Sequence, residues 1–162
     1  MKYIKNNYFV EKINLQKLTK KFDTPLYCYS YNKLKKNINN FKLNFSKLNP
    51  LICFAIKSNS NLNIIKEIKK LGLGADVVSM GELIQALKAG INPKKIVFSG
   101  VGKTYSELKY AVEKRILLIN SESKSEVMEI EQIAKSKKKI VDIGIRLNPN
   151  TDAKTLNKIS TG

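Results

Sequence analysis

The sequence predicts an α/β protein built on a parallel sheet, and three observations carry that prediction. Short apolar runs alternate with amphipathic segments of helical period through most of the 162 residues. The runs are apolar at nearly every position, as strands covered by helices are. Polar residues gather where each run ends, and parallel folds collect their chemistry at those ends.

In chain order, Leu26 to Ser30 (LYCYS), following Pro25, reads as a short strand. Tyr31 to Leu43 reads as a helix, because Leu34, Ile38 and Phe41 recur at helical spacing on a lysine-rich background. Leu51 to Ile56 is predicted as a strand and Leu62 to Leu71 as a helix, stopped by Gly72. Ala75 to Val78 is the next strand, followed by a helix over Gly81 to Ala89 that stops at Gly90. The cycle continues with a strand at Lys95 to Phe98 and a helix at Ser106 to Lys114. It ends with a strand at Ile116 to Ile119, a helix at Lys124 to Lys135 and a strand at Ile140 to Leu147.

These strands and helices form repeated βαβ units from Leu51 onward. They suit either an open doubly wound sheet or part of a (βα)8 barrel. A complete barrel takes ~250 residues, so the chain has room for about five of eight units. It stops on Ser160-Thr161-Gly162 with no closing helix. The segment before Leu51 does not follow the rhythm so cleanly. It is expected to belong to a second structural unit or to pack outside a barrel.

Composition narrows the function. Apolar residues make up 43% and charged residues 27%, ordinary values for a globular domain with a core. No run approaches the ~18 apolar residues of a membrane span, and the N-terminus lacks the apolar stretch of a signal peptide. The expectation is a cytoplasmic protein with no membrane partner. The net charge of +17 invites a nucleic-acid reading. Against it, the basic residues are scattered, and only Arg115 and Arg146 are arginine, the residue whose fork matches bases and phosphates. No nucleic-acid partner is expected. Cys28 and Cys53 are far apart and the chain has no histidine, so no zinc set and no Ser-His or Cys-His catalytic pair can form. No metal is expected, and both cysteines read as buried free thiols.

The strand ends supply the candidate chemistry. The first offers Lys57, Ser58 and Asn59; the second Asp76 and Ser79, with Glu82 a turn later. The third offers Ser99, Gly100, Gly102 and Lys103, the fourth Asn120 and Glu122, the fifth Arg146, Asn148 and Asp152. A lysine at the end of a buried strand is expected to be partly desolvated, which frees a neutral amine for Schiff-base chemistry with a carbonyl or with pyridoxal phosphate. The plainer reading of Lys57 is a lysine that has reached solvent where its strand stops. Arg146 stands out because lysine serves almost everywhere else; Asp76 is its expected carboxylate partner. The stretch SGVGKT (99–104) lacks the spacing of a P-loop and reads as a strand-to-helix turn rather than a nucleotide site.

Six segments, FAIKSNSN, GLGADVVSMGEL, KIVFSGVGKT, ILLINSES, IRLNPNTDAKT and ISTG, occur in the order and spacing of the diaminopimelate decarboxylases. From about Thr24 to Gly162 the chain resembles that family, which belongs to the fold-type III pyridoxal-phosphate enzymes with alanine-racemase-like barrels. The resemblance implies a (βα)8 TIM-type barrel followed by a β-domain, with pyridoxal 5'-phosphate carried on the lysine matching Lys57. It implies that Asp76 and Arg146 help to hold the cofactor and that Asn59, Ser79 and Glu82 belong to the surrounding network. It further implies an amino-acid substrate, a homodimer, and conversion of meso-diaminopimelate to L-lysine. Other fold-type III decarboxylases, acting on ornithine, arginine or carboxynorspermidine, are the nearest alternatives. A non-catalytic remnant or one half of a split gene is a further one.

One departure is Leu156, where the family usually has histidine. The family's cofactor-stacking histidine, glycine-rich phosphate turn and later site residues have no counterpart here. The expectation is therefore an N-terminal fragment, inactive by itself, in which residues 1–30 pack with an absent β-domain and residues 31–162 form an incomplete barrel.

Overall fold

A computed structural model of the protein describes residues 2–149 and Lys154. The chain divides into two compact units, Met1–Pro50 and Leu51–Gly162. Asp152, Leu156 and the ISTG segment lie outside the described residues.

The first unit begins with an antiparallel meander, β1 (Lys2–Ile4), β2 (Asn7–Val10) and β3 (Ile13–Asn14), in that spatial order. Tyr3 and Tyr8 face each other across β1 and β2 with ring centroids 4.7 Å apart, the cross-strand aromatic pair that steadies a short ribbon. Helix α1 (Leu15–Phe22) starts where the Asn14 side chain accepts from the Gln16 amide. Helix α2 (Tyr31–Asn44) starts at Ser30, whose Oγ accepts from the Lys33 amide and donates to Glu11. The Glu11 carboxylate also accepts from the Asn32 amide at 2.8 Å. That amide bond, and after it the Ser30 bond, hold the Glu11 carboxyl below its ordinary value. The predicted strand at Leu26 to Ser30 does not form. No neighbouring strand among the described residues offers the segment a ladder, and apolar content alone does not make a sheet.

The second unit carries a five-stranded parallel sheet: β4 (Cys53–Ala55), β5 (Gly74–Val77), β6 (Ile96–Phe98), β7 (Leu118–Ser121) and β8 (Ile143–Ile145). Helices α3 (Leu62–Lys70), α4 (Met80–Lys88), α5 (Tyr105–Lys114) and α6 (Lys124–Ser136) connect the first four strands and lead toward β8. Spatial order equals chain order. That decides between the two architectures left open above. A doubly wound sheet reverses direction and places helices on both faces. A strictly sequential parallel sheet winds one way and keeps its helices on one side, as a barrel wall does.

Burial agrees with that winding. Ala75, Val77, Ile96, Phe98 and Ile119 project from one face into a core shared with Ile65, Leu83, Ala86, Leu108, Ala111, Ile130 and Ile133 of the helices. Each large side chain buried there contributes about 1.5–3 kcal/mol. The alternate positions Asp76, Val97, Leu118 and Asn120 are half-buried on the opposite face. The strands thus carry apolar residues on both faces, with Val97 and Leu118 on the far one, and Asp76 and Asn120 are the polar exceptions toward one end. Close packing constrains the backbone at Gly74, where a Cβ would run into the Lys95 carbonyl just before the next strand. Strand β8 is shorter than predicted. Among the described residues it is one of the sheet's two edges, β4 being the other, with Ile145 70% exposed.

Three of the helices open in one manner. Ser79, Thr104 and Ser123 cap α4, α5 and α6 by accepting from the amide three residues on. The glutamate at that third position turns back toward the strand end. Glu82 accepts from the Val78 amide at 2.9 Å, Glu126 from the Glu122 amide at 2.8 Å, and Glu107 from the Thr104 amide at 3.0 Å. Glu107 also takes the Met80 amide at 2.9 Å, so one carboxylate ties two helix starts together. The Thr104 and Met80 amides hold the Glu107 carboxyl below its ordinary value.

Candidate active site

The register fixes what the strand ends bring together. Ala55 lies opposite Asp76, Val97 opposite Leu118, and Asn120 opposite Gly144. Beyond Ala55 the chain enters a single 3-10 turn, Ile56–Ser58. Ile56 is fully buried in the core, and Lys57 follows it as an exposed side chain. The expected desolvation of Lys57 is not realised, because the strand stops two residues earlier and the turn carries the lysine past its edge. Its amine makes no hydrogen bond or ion pair among the described residues. Asn59 serves the turn itself: its Oδ1 accepts from the Asn61 amide, and Asn61 then caps α3.

Asp76 faces the side of the sheet away from the helices. The Ser99 hydroxyl donates to its Oδ1 at 2.7 Å, and Asn120 Nδ2 donates to the Ser99 Oγ at 3.0 Å. The string crosses β5, β6 and β7. Cys53 is a half-buried free thiol whose pKa is pushed up, chiefly by burial and then by the Asp76 carboxylate. Both cysteines are free, as expected, but neither is fully buried.

Arg146 does not pair with Asp76. Its Nη1 lies 3.2 Å from Glu122 Oε2, and its amide donates to the Ser121 carbonyl at 3.0 Å. The reason is strand order. Arg146 follows β8, whose neighbour is β7, and Glu122 is the first residue after β7. Asp76 stands two strands beyond that. The two residues should therefore behave independently. In thermal melts, an Arg146→Ala and Glu122→Ala cycle is expected to give a coupling of about 0.2–1 kcal/mol, whereas Arg146→Ala and Asp76→Asn should add. Coupling of Arg146 to Asp76 would contradict this pairing.

Ser79 and Glu82 are engaged in capping α4 rather than aimed at Lys57. The SGVGKT stretch is the strand-to-helix turn it was expected to be. Lys103 is 1% exposed at its side chain and spends its three donors on the Gly100 carbonyl, the Asn120 carbonyl and Glu126 Oε1, at 2.7, 2.7 and 2.6 Å. No donor remains for a phosphate. Among the described residues no group of acidic or thiol side chains could hold a metal.

The sequence reading singled out Lys57, Asp76 and Arg146, and the fold brings them to the same end of one sheet. It did not single out the bonding of Ser99 to Asp76 or of Asn120 to Ser99. Their places at successive strand ends were the available signal.

A singly wound parallel sheet, with Lys57 exposed past β4 and a carboxylate one strand over, has the winding of a barrel wall and gathers its polar groups at one end. The family described as pyridoxal-dependent decarboxylase, pyridoxal binding domain, matches residues 31–162, and the chain belongs to that family. It is 49% identical over 149 residues to the diaminopimelate decarboxylase of Helicobacter pylori strain J99, covering 92% of this chain and 37% of that protein. A crystal structure of the H. pylori diaminopimelate decarboxylase complexed with L-lysine superposes with a TM-score of 0.86 at 46% identity, covering 90% of this chain and 37% of that one. The diaminopimelate decarboxylase from M. jannaschii in co-complex with L-lysine gives 0.89 at 37% identity, over 98% of this chain and 38% of that one. The chain thus spans little more than a third of the length of these relatives.

Proposed function

We propose that this chain supplies the cofactor-lysine segment of a pyridoxal-phosphate enzyme that decarboxylates meso-diaminopimelate to L-lysine. The observation that carries this is Lys57: an exposed amine with no partner among the described residues, two residues past β4, in a chain of the pyridoxal-binding family. The donor set fits an aldehyde cofactor. Lys57 offers a free amine, and Asp76 one strand over has Oδ1 engaged and no second hydrogen bond among the described residues. When bound, the cofactor supplies an aldehyde for that amine and a ring that takes up the electron pair left as carbon dioxide departs.

In this reading Lys57 holds the cofactor and Asp76 presents a fixed acceptor beside it. The Arg146–Glu122 pair lies at the far end of the same rim, where the guanidinium, steadied by Glu122, offers donors to a substrate carboxylate. Ser79, Glu82 and Asn59 act from behind, by holding the turns that carry Asp76 and Lys57 in place. Identities of 46–49% to proteins named diaminopimelate decarboxylase support this substrate, and the L-lysine bound in two of the solved relatives is its product. The same reading expects a cytoplasmic homodimer. It assigns residues 31–162 to the cofactor barrel and residues 1–30 to packing against the β-domain that the resemblance implies.

The test is a chimera in which residues 1–162 replace the matching segment of the H. pylori enzyme. It should release carbon dioxide and L-lysine from meso-diaminopimelate only when pyridoxal phosphate is present. A folded chimera that retains the cofactor, ignores diaminopimelate and decarboxylates ornithine or arginine would overturn the substrate assignment.

A further inference from the structure

We infer that Ser99 and Asn120 are positioning residues that fix the orientation of the Asp76 carboxylate, and that Gly144 is required for Asn120 to do so. The inference rests on the reading of Lys57 and Asp76 given above. A strand-end carboxylate with a single hydrogen bond can turn about its own axis unless that bond is held. Here the holder is itself held. Ser99 is the first residue past β6, and its amide donates to the Val77 carbonyl at 2.8 Å, which continues the ladder and fixes its backbone. Its hydroxyl accepts from Asn120 Nδ2 and so directs its own hydrogen at Asp76 Oδ1. An ionised carboxylate only accepts, so the string runs one way, from amide to hydroxyl to carboxylate. The 2.7 Å contact with Asp76 is in the short range of a charge-assisted bond.

The far end of the string is anchored as well. The Asn120 backbone carbonyl accepts from the buried Lys103 amine at 2.7 Å. Its side chain lies across the sheet toward Ser99, with Oδ1 passing over its register partner Gly144. A Cβ at position 144 would collide with that oxygen. The colliding atom is the tip of a side chain, so the chain would accommodate alanine by turning Asn120 aside rather than by moving a strand. Gly144→Ala therefore breaks the string without removing any hydrogen-bonding group from it.

The experiment uses the chimera described above and reads the dissociation constant of pyridoxal phosphate by absorbance, together with the melting temperature. Ser99→Ala should weaken cofactor binding by about tenfold, the worth of one hydrogen bond to a charged group, and leave the melting temperature nearly unchanged. Ser99→Thr keeps the hydroxyl and should restore binding. In an Asp76→Asn background, Ser99→Ala should add nothing, because Ser99 acts only through Asp76. Asn120→Ala and Gly144→Ala should weaken binding in the same direction. Additive effects of Ser99→Ala and Asp76→Asn, or Ser99→Thr as weak as Ser99→Ala, overturn the inference. A wild-type chimera that takes up no cofactor overturns the parent reading, and this one with it. A wild type that binds alongside Ser99, Asn120 and Gly144 variants that bind equally well overturns this inference alone.

Discussion

Lys57→Ala is expected to remove covalent retention of pyridoxal phosphate and to lower decarboxylation by about three orders of magnitude or more. Borohydride reduction of the wild-type chimera with the cofactor present should leave the reduced cofactor on the peptide that contains Lys57. In the variant that peptide should be unmodified. The chain carries 30 lysines and arginines, so a reactive amine is not scarce and the assignment is a demanding one. What separates Lys57 is its place. It stands two residues past β4, Ile56 pins the turn into the core, and no carboxylate or carbonyl claims its amine among the described residues. The variant itself should fold, because an exposed side chain with no partner among the described residues is removed. Modification at another lysine with the Lys57 peptide unmodified would sink the assignment.

The largest effect on stability is expected at Lys103. Lys103→Ala should lower the free energy of unfolding by about 3–5 kcal/mol, the usual cost of removing one member of a buried ion pair. The loss has three parts in one residue. Glu126 keeps its bond to the Glu122 amide but loses its counter-charge, and the carbonyls of Gly100 and Asn120 lose their donor. The hole left beside Phe98, whose ring centroid is 5.8 Å from the amine, adds to it. Lys103→Met combined with Glu126→Gln removes both charges and keeps most of the volume, and should recover much of the loss. Urea unfolding of the chimera measures both. A loss below about 1 kcal/mol for the alanine variant would mean that the pair is no more than a surface contact.

The parallel sheet and its helices were legible because their signals are local. Apolar period marks α3 through α6, and glycines stop α3 and α4 at Gly72 and Gly90, both with positive φ. The position of the site was legible for a related reason, since parallel strands leave their polar residues at one end. Pairing was not legible. Arg146 was matched to Asp76 by charge, but its partner depends on which strands are neighbours, and Glu122 follows the adjacent one. The bond of Ser99 to Asp76 was hidden in the same way, because residues 23 apart in sequence meet only through the register of β5 and β6. Of the two readings of Lys57, the exposed one holds and the desolvated one does not, because the strand was predicted to run to Ile56 whereas the ladder ends at Ala55. Leu26 to Ser30 failed for want of a neighbour.

The crossing of Asn120 over Gly144 also constrains how this sequence can drift. Positions 120 and 144 are not free to vary separately, although neither is near the other in the chain. A lineage that places a side chain at 144 has first to shorten or turn the residue at 120. A lineage that shortens 120 first releases 144 from its glycine. The order of such changes is therefore biased: loss of the asparagine opens the way for loss of the glycine, and the reverse path runs through a steric clash. Among related sequences, residues with a Cβ at 144 should be found with small or redirected side chains at 120, a pairing that reports the geometry of the sheet rather than the chemistry of either residue.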